Sequence, residues 1–259
     1  MPAAATGDVA AVPRWRGLVL APFRWLAILF LPDRALPGAV TEGRYGGPML
    51  VAMAAALVAG LTIAGRVDLT ERVYGPSMGA EAPAATGAAT APPTMSDREI
   101  EEATVKARTV EQVTRGLGAG MVPVEIFGLG LALLLVARYV GGRPTLRRAV
   151  ALAACASLPG AVRAVLQAVA AAHRAVIPPS EVSALVLPPL KLGSPVLTRL
   201  CAGVDPFTLW SVALVAIGMP AMAGMSRRRA FLTTAASFAF WLVLSRLALA
   251  SPPNPGAHP

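Results

Sequence analysis

The sequence predicts an all-α fold: a five-span transmembrane helical bundle with an N-terminal interfacial amphipathic helix and an extracytoplasmic insert between spans one and two. Three observations predict it. Of 259 residues 55% are apolar and only 14% charged, with a mean hydropathy of +0.61, a balance too apolar for a soluble domain of this size. Apolar runs of spanning length recur along the chain. Arginines gather in every second connection between those runs, as a bilayer selects when guanidinium groups stay among cytosolic headgroups. The formal charge of +9 is spread beside apolar runs and forms no basic patch with interleaved aromatics, which argues against nucleic acid as a partner. Cys155 and Cys201 lie in different segments with no Cys or His at ligand spacing, which argues against a disulfide framework or a zinc site.

Two units are expected: residues 1–47, a tail and a cytosolic interfacial helix, and residues 48–259, the membrane domain with its polar insert at 65–120. Met1 to Val12 lacks a core-forming pattern and reads as a disordered tail. Arg14 to Leu31 has a basic start and an apolar run, but Arg24 interrupts the run and Leu31-Pro32-Asp33-Arg34 offers no signal-peptide cleavage site. It is expected to lie in the interface, with Trp15, Phe23, Trp25 and Phe30 at the headgroup boundary and Arg14, Arg16 and Arg24 toward phosphates. A cytosolic helix packed on the bundle is the alternative. Span one, Pro48 to Ala64, carries Ala52, Ala56 and Gly60 at intervals of four, a small-residue ridge for close helix packing.

The insert divides in two. Residues 79–95 are rich in Ala, Pro, Gly and Thr and read as a flexible loop. Ser96-Asp97-Arg98-Glu99 then matches a capping box, so a helix is expected from about Asp97. Its apolar face is Ile100, Ala103, Ala107, Val110, Val113 and Leu117, with Glu102–Lys106 and Glu111–Arg115 as i,i+4 pairs. It is either a solvated helix over the bundle mouth or a partner-binding coiled coil. Gly116, Gly118 and Gly120 depart from the dinucleotide pattern and read as a hinge into span two.

Span two is Met121 to Val140. Span three is Ala149 to Ala172, with a kink expected at Pro159 and Gly160. His173 to Leu200 is apolar but broken by five prolines, so residues 182–200 are expected to be interfacial or re-entrant. Spans four and five are Phe207 to Met225 and Ala230 to Ala250. The segment before span one, the loop after span two and Arg227, Arg228 and Arg229 after span four are arginine-rich, whereas the 65–120 insert holds six basic against eight acidic residues. This alternation predicts a cytosolic N-terminus and an extracytoplasmic C-terminus.

The order of these features resembles the Yip family of Ypt/Rab-interacting membrane proteins in its bacterial form. The resemblance rests on Ala21 to Leu36 (APFRWLAILFLPDRAL), Ala156 to Val162 (ASLPGAV) and Asp205 to Met219 (DPFTLWSVALVAIGM), the last with Asp205, Phe207, Trp210 and Gly218 at the family's fixed points. It covers most of the chain apart from the insert. It implies five spans, a cytosolic N-terminus and no established enzymatic activity. The family's eukaryotic members are associated with Rab GTPases and vesicle traffic; this chain has no recognisable Rab-binding motif, and its Ala, Arg and Pro content points to a bacterium.

No catalytic residue, cofactor or metal is expected: phosphate-loop, HExxH and GxSxG motifs are absent, and His173 and His258 are the only imidazoles. Ionisable groups within spans are the candidates, because each costs a few kcal/mol in hydrocarbon unless paired or hydrated. Glu125 is expected to pair with Arg246, or with Arg163 as well, in an intramembrane polar cluster that Gln167, one turn beyond Arg163, joins. Asp205 reads as a helix cap and Trp210 as an interface anchor, with Arg227 to Arg229 contacting anionic lipid or an acidic partner. Two functions fit: a non-enzymatic scaffold organising partners in the bacterial inner membrane, or a small transport component passing a polar solute through that cluster. Expected partners are the lipid bilayer and either other membrane proteins or further copies of the chain in a homo-oligomer.

Overall fold

A computed structural model describes residues 21–69, 96–178, 181–182, 185–186 and 204–249. Trp15, Arg14 and Arg16, the 79–95 loop, Cys201 and nearly all of 182–200 lie outside the described residues. The described residues form eight named helices: α1 (Ala21–Phe30), α2 (Pro32–Thr41), α3 (Gly46–Ala64), α4 (Asp97–Tyr139), α5 (Leu146–Ala156), α6 (Leu158–Ala172), α7 (Pro206–Ala223) and α8 (Arg227–Leu249).

Of the interfacial helix expected over Arg14 to Leu31, the described part is α1. Leu31 separates α1 from α2, with Pro32 in the first turn of α2, where its missing N–H costs nothing. Ile28 and Leu29 of α1 and Leu36 and Val40 of α2 are buried in the main core while Phe30 is exposed. The apolar faces of these short helices therefore join the bundle.

Local chemistry sets most helix ends. Ser96 caps α4 through a complete capping box with Glu99, as expected. Thr145 Oγ1 accepts from Arg148 N at the start of α5. Pro159 disrupts span three: it has no N–H, and its ring crowds the carbonyl four residues back. The break falls at Ser157, whose hydroxyl donates to Ala154 O at 2.8 Å.

The glycines at 116, 118 and 120 do not form a hinge. They lie within α4, which runs unbroken for 43 residues through Pro123, or about 64 Å at 1.5 Å per residue. Glycine lowers helix propensity by about 1 kcal/mol, but a backbone entering hydrocarbon has no other way to satisfy its polar groups. The face of this helix also differs from expectation. Ala107, Glu111, Arg115 and Ala119 turn inward, while Val110, Val113 and Leu117 are exposed. Glu111 pairs with Arg115 at 2.7 Å, but Glu102 pairs with Arg98 at 3.1 Å, not with Lys106.

Around α5, the most buried helix, pack α2, α4 and α7; Ala149 through Ala156 are all buried. Helix α3 lies between α4 and α6, presenting Ala52, Ala55 and Ala59. Gly60 meets the Arg115 backbone so closely that an added Cβ would stand 3.3 Å from the carbonyl oxygen. A second, smaller cluster sits at the far end, where Ile63, Val67, Leu69, Ala171 and Ile177 pack with Ala107 of α4. Asp68 N donates to Ile177 O and Ile177 N to Arg66 O, fastening the insert to the segment after α6.

Four helical stretches among the described residues are long and apolar enough to cross a membrane: Gly46–Ala64, Arg98–Tyr139, Leu146–Ala172 and Pro206–Ala223. The chain is a multi-pass membrane protein. The stretch expected as a fifth span forms α8, 23 residues long.

Candidate functional site

Asp205 has an extended backbone and its Oδ1 accepts from Thr208 N at 2.7 Å and from Thr208 Oγ1 at 2.9 Å, closing the first turn of α7. Pro206 follows, where φ suits a helix and no N–H is lost. The second carboxylate oxygen, Oδ2, takes Arg163 Nη1 at 2.5 Å. One side chain thus caps α7 and ties it to α6. The join brings together the ends of two sequence motifs, since Arg163 directly follows Ala156–Val162 and Asp205 opens the Asp205–Met219 run.

The two groups meet because their helices rise from the same end. Arg143 N donates to Ala223 O at 3.0 Å, placing the start of the α5–α6 span beside the end of α7. At about 1.5 Å per residue, Arg163 stands about 26 Å above Leu146 and Asp205 about 27 Å above Ala223. Both lie near the far boundary of a hydrocarbon layer about 30 Å thick. Asp205 is mostly buried and Arg163 about one-third exposed, at 13% and 34% of their side-chain surfaces.

The expected cluster is therefore rearranged. Arg163 pairs with Asp205, and no ion pair joins it to Glu125 among the described residues. Glu125 is exposed on α4, and Gln167 is half-buried one turn beyond Arg163. Arg246 lies on α8, and its side chain is outside the described residues, so the expected Glu125–Arg246 pair falls outside them too. His173 is exposed at the end of α6.

Trp210 is half-buried against the core, so its ring packs on protein as well as reaching the helix surface. Gly218 shows why a fixed point of that motif is glycine. A Cβ there would lie 2.3 Å from Leu152 Cδ1 and 3.1 Å from Leu36 Cδ2. Glycine lets α7 seat on α5 and α2 together.

At the opposite end, the arginine-bearing turns are joined. Arg147 Nε donates to Gly43 O at 3.4 Å, linking the start of α5 to the turn before α3, and Arg143 is bound to Ala223 at the end of α7. Arg227, Arg228 and Arg229 begin α8 after a three-residue connection and are exposed, with Ser226 Oγ accepting from Arg229 N.

Two apolar cavities flank this frame. One of about 720 Å³ lies between α4 and α8, lined by Leu135, Tyr139, Leu232, Ser237 and Phe240 among others. One of about 330 Å³ lies between α1, α3 and α6, with Trp25, Ala55, Leu158 and Val162 in its wall. Neither is lined by Glu125, Arg163 or Gln167. Among the described residues no group of three or more His, Cys, Asp or Glu is placed to hold a metal.

Arg163 and Gln167 could not be placed by counting from span ends alone. Measuring both helices from their shared arginine end would have set Arg163 level with Asp205. Residues 26–247 match the family model of the Yip1 domain. No curated protein and no solved structure matches the chain.

Proposed function

The chain belongs to the Yip1 domain family, and from that membership we propose that it is a non-enzymatic scaffold of the bacterial inner membrane that organises partner proteins within the bilayer. The observation that carries this reading is the closed core: the middle of the bundle is a solid run of small buried side chains, Ala149 through Ala156. The Arg163–Asp205 ion pair links two helices and lines neither described cavity. Such an arrangement holds shape and offers surfaces for docking.

In this reading the end that joins the arginine-bearing turns faces the cytosol. Helix α8 is the fifth span, and the N- and C-termini lie on opposite sides. Arg227 to Arg229 lie at the cytosolic headgroups, against anionic lipid or an acidic partner. A reporter that is active only in the cytosol is then silent when fused at Pro259.

The second reading, passage of a polar solute, draws on the one-third of Arg163 left exposed and on half-buried Gln167 beside it. Affinity capture in mild detergent, with the natural chain and with Gln167→Ala, separates the two. A stoichiometric protein partner retained by both forms supports the scaffold. Recovery of no protein partner, together with a solute flux abolished by Gln167→Ala, would replace it with transport.

A further inference from the structure

Helix α8 packs on α7 and touches α4 little, so α4 and α8 stand apart at their arginine-bearing ends. The cavity of about 720 Å³ lies in that gap, a size within the ordinary range of ligand sites, about 300–1,000 Å³. Its wall is mainly apolar, with Leu135 on α4 and Leu232 and Phe240 on α8.

The chemistry is graded along α8. Leu232, Thr233, Ala236 and Phe240 line the cavity and stand three, four, seven and eleven residues after Arg229, so the arginine shares their face of the helix and marks the mouth. Arg229 is exposed and forms no ion pair among the described residues. Beyond Glu125, neither α4, the turn after it nor α8 carries a carboxylate. Arg143, in that turn, adds a second exposed charge at the same end, where its amide is held by Ala223 O.

Thr233 lies one turn deeper than Arg229, about 6 Å along the axis. Thr62, Thr104, Thr109 and Thr114 return their hydroxyls to the carbonyl four residues back. Thr233 makes no such bond among the described residues, and its half-buried side chain lines the cavity with the hydroxyl unbonded.

We propose that this cleft holds one anionic phospholipid, its phosphate on Arg229, an ester carbonyl on the Thr233 hydroxyl and its acyl chains along Leu232, Leu135 and Phe240. The headgroup and ester layer is about 5–8 Å thick on each face of a bilayer. A phosphate level with Arg229 therefore sets the esters level with Thr233. Guanidinium groups bind phosphate through paired N–H donors, and basic clefts between spanning helices suit anionic headgroups. An acidic protein segment would answer the arginines alone, and a zwitterionic lipid the apolar wall alone. The proposal rests on the reading of α8 as a span with its arginines at the headgroups, and not on scaffolding. The Pro259 reporter tests that reading by itself, whereas lipid retention in detergent does not depend on which side α8 starts.

Native mass spectrometry of the full chain in mild detergent, with equal phosphatidylglycerol and phosphatidylcholine, counts the bound lipid. One phosphatidylglycerol is expected to be retained about tenfold over phosphatidylcholine, a difference equivalent to about 1.4 kcal/mol, and Arg229→Gln is expected to abolish that preference. Arg34→Gln removes the same charge from α2, away from the cleft, and is expected to leave it. Ala236→Trp, at an exposed position in the cavity wall, is expected to displace the lipid with every arginine in place. Thr233→Val is expected to weaken retention about fivefold. Protection of Cys155 from maleimide shows that each variant is folded. Equal loss in Arg34→Gln, retention in Ala236→Trp, or no preference for phosphatidylglycerol in the natural chain overturns the proposal. Binding of a glutamate-rich peptide in place of the lipid, unaffected by Ala236→Trp, does so too.

Discussion

Asp205 performs two tasks, and they can be separated by substitution. Asp205→Ala removes a helix cap, costing about 1 kcal/mol, and strands Arg163. Leaving one member of a fully buried pair costs about 3–5 kcal/mol, but Arg163 is 34% exposed and water screens it, so about 1–2 kcal/mol is the better magnitude. The total is about 2–3 kcal/mol. Asp205→Asn caps as well as aspartate and loses only the charge, so about 1–2 kcal/mol is expected from it. Arg163→Gln combined with Asp205→Asn recovers part of the separate losses, with a coupling of about 1 kcal/mol. The native Cys155, fully buried in α5, supplies the assay. With Cys201→Ser, alkylation of Cys155 by a fluorogenic maleimide during heating in detergent reports opening of the core. The expected order of stability is natural chain, then Asn, then Ala. If Asn and Ala unfold together with the natural chain, or the coupling is zero, the Arg163–Asp205 bridge does not hold α6 to α7.

Gly218→Val is expected to destabilise by about 1–3 kcal/mol through overpacking against Leu152 and Leu36, and adding Leu152→Ala is expected to restore part of the loss in the same thiol assay. Thr234 Oγ1 is buried without a hydrogen-bond partner among the described residues, so Thr234→Val is expected to be neutral or stabilising by about 1 kcal/mol; a clear loss of stability would show that the hydroxyl is satisfied. Hydrogen bonds from the Ser96 backbone and side chain hold the Glu99 carboxyl below its ordinary range. That contribution is present above the unfolded carboxylate pKa of about 4.3 and disappears as pH falls through the depressed folded value. Protection from hydrogen exchange in the first turn of α4, relative to the intrinsic rate, is therefore expected to fall in acid; Glu99→Gln is expected to remove that dependence, and Ser96→Ala, which keeps the backbone donor, to weaken it.

Features decided within a few neighbouring residues were legible in the sequence. The capping box at Ser96, the Asp205 cap and the disruption of span three next to Pro159 all follow from one turn of backbone and its donors. The apolar runs also located α3 and α7 to within two residues, because bilayer thickness and side-chain partitioning act on every residue of a span. Features decided by packing were not. Three glycines before span two looked like a hinge, yet only the demand of the membrane for a satisfied backbone decides that α4 continues through them. The helix at Pro32–Thr41 was missed because its two prolines argue against one locally, while burial of Leu36 and Val40 stabilises it from outside. The pairing of Arg163 with Asp205 depends on how α6 and α7 are levelled, information held in the contact of Arg143 with Ala223 and not in either motif alone.

Cys155 also offers the most direct test of the scaffold reading, because it stands about 14 Å from the start of α5, at the middle of the bilayer. A scaffold has no water there. In membranes carrying the Cys201→Ser chain, small charged methanethiosulfonates added from both sides are predicted to leave Cys155 unmodified until the protein is unfolded. Rapid modification of Cys155 in the folded protein, slowed by a polar solute, would contradict the closed core and establish a hydrated path through the bundle.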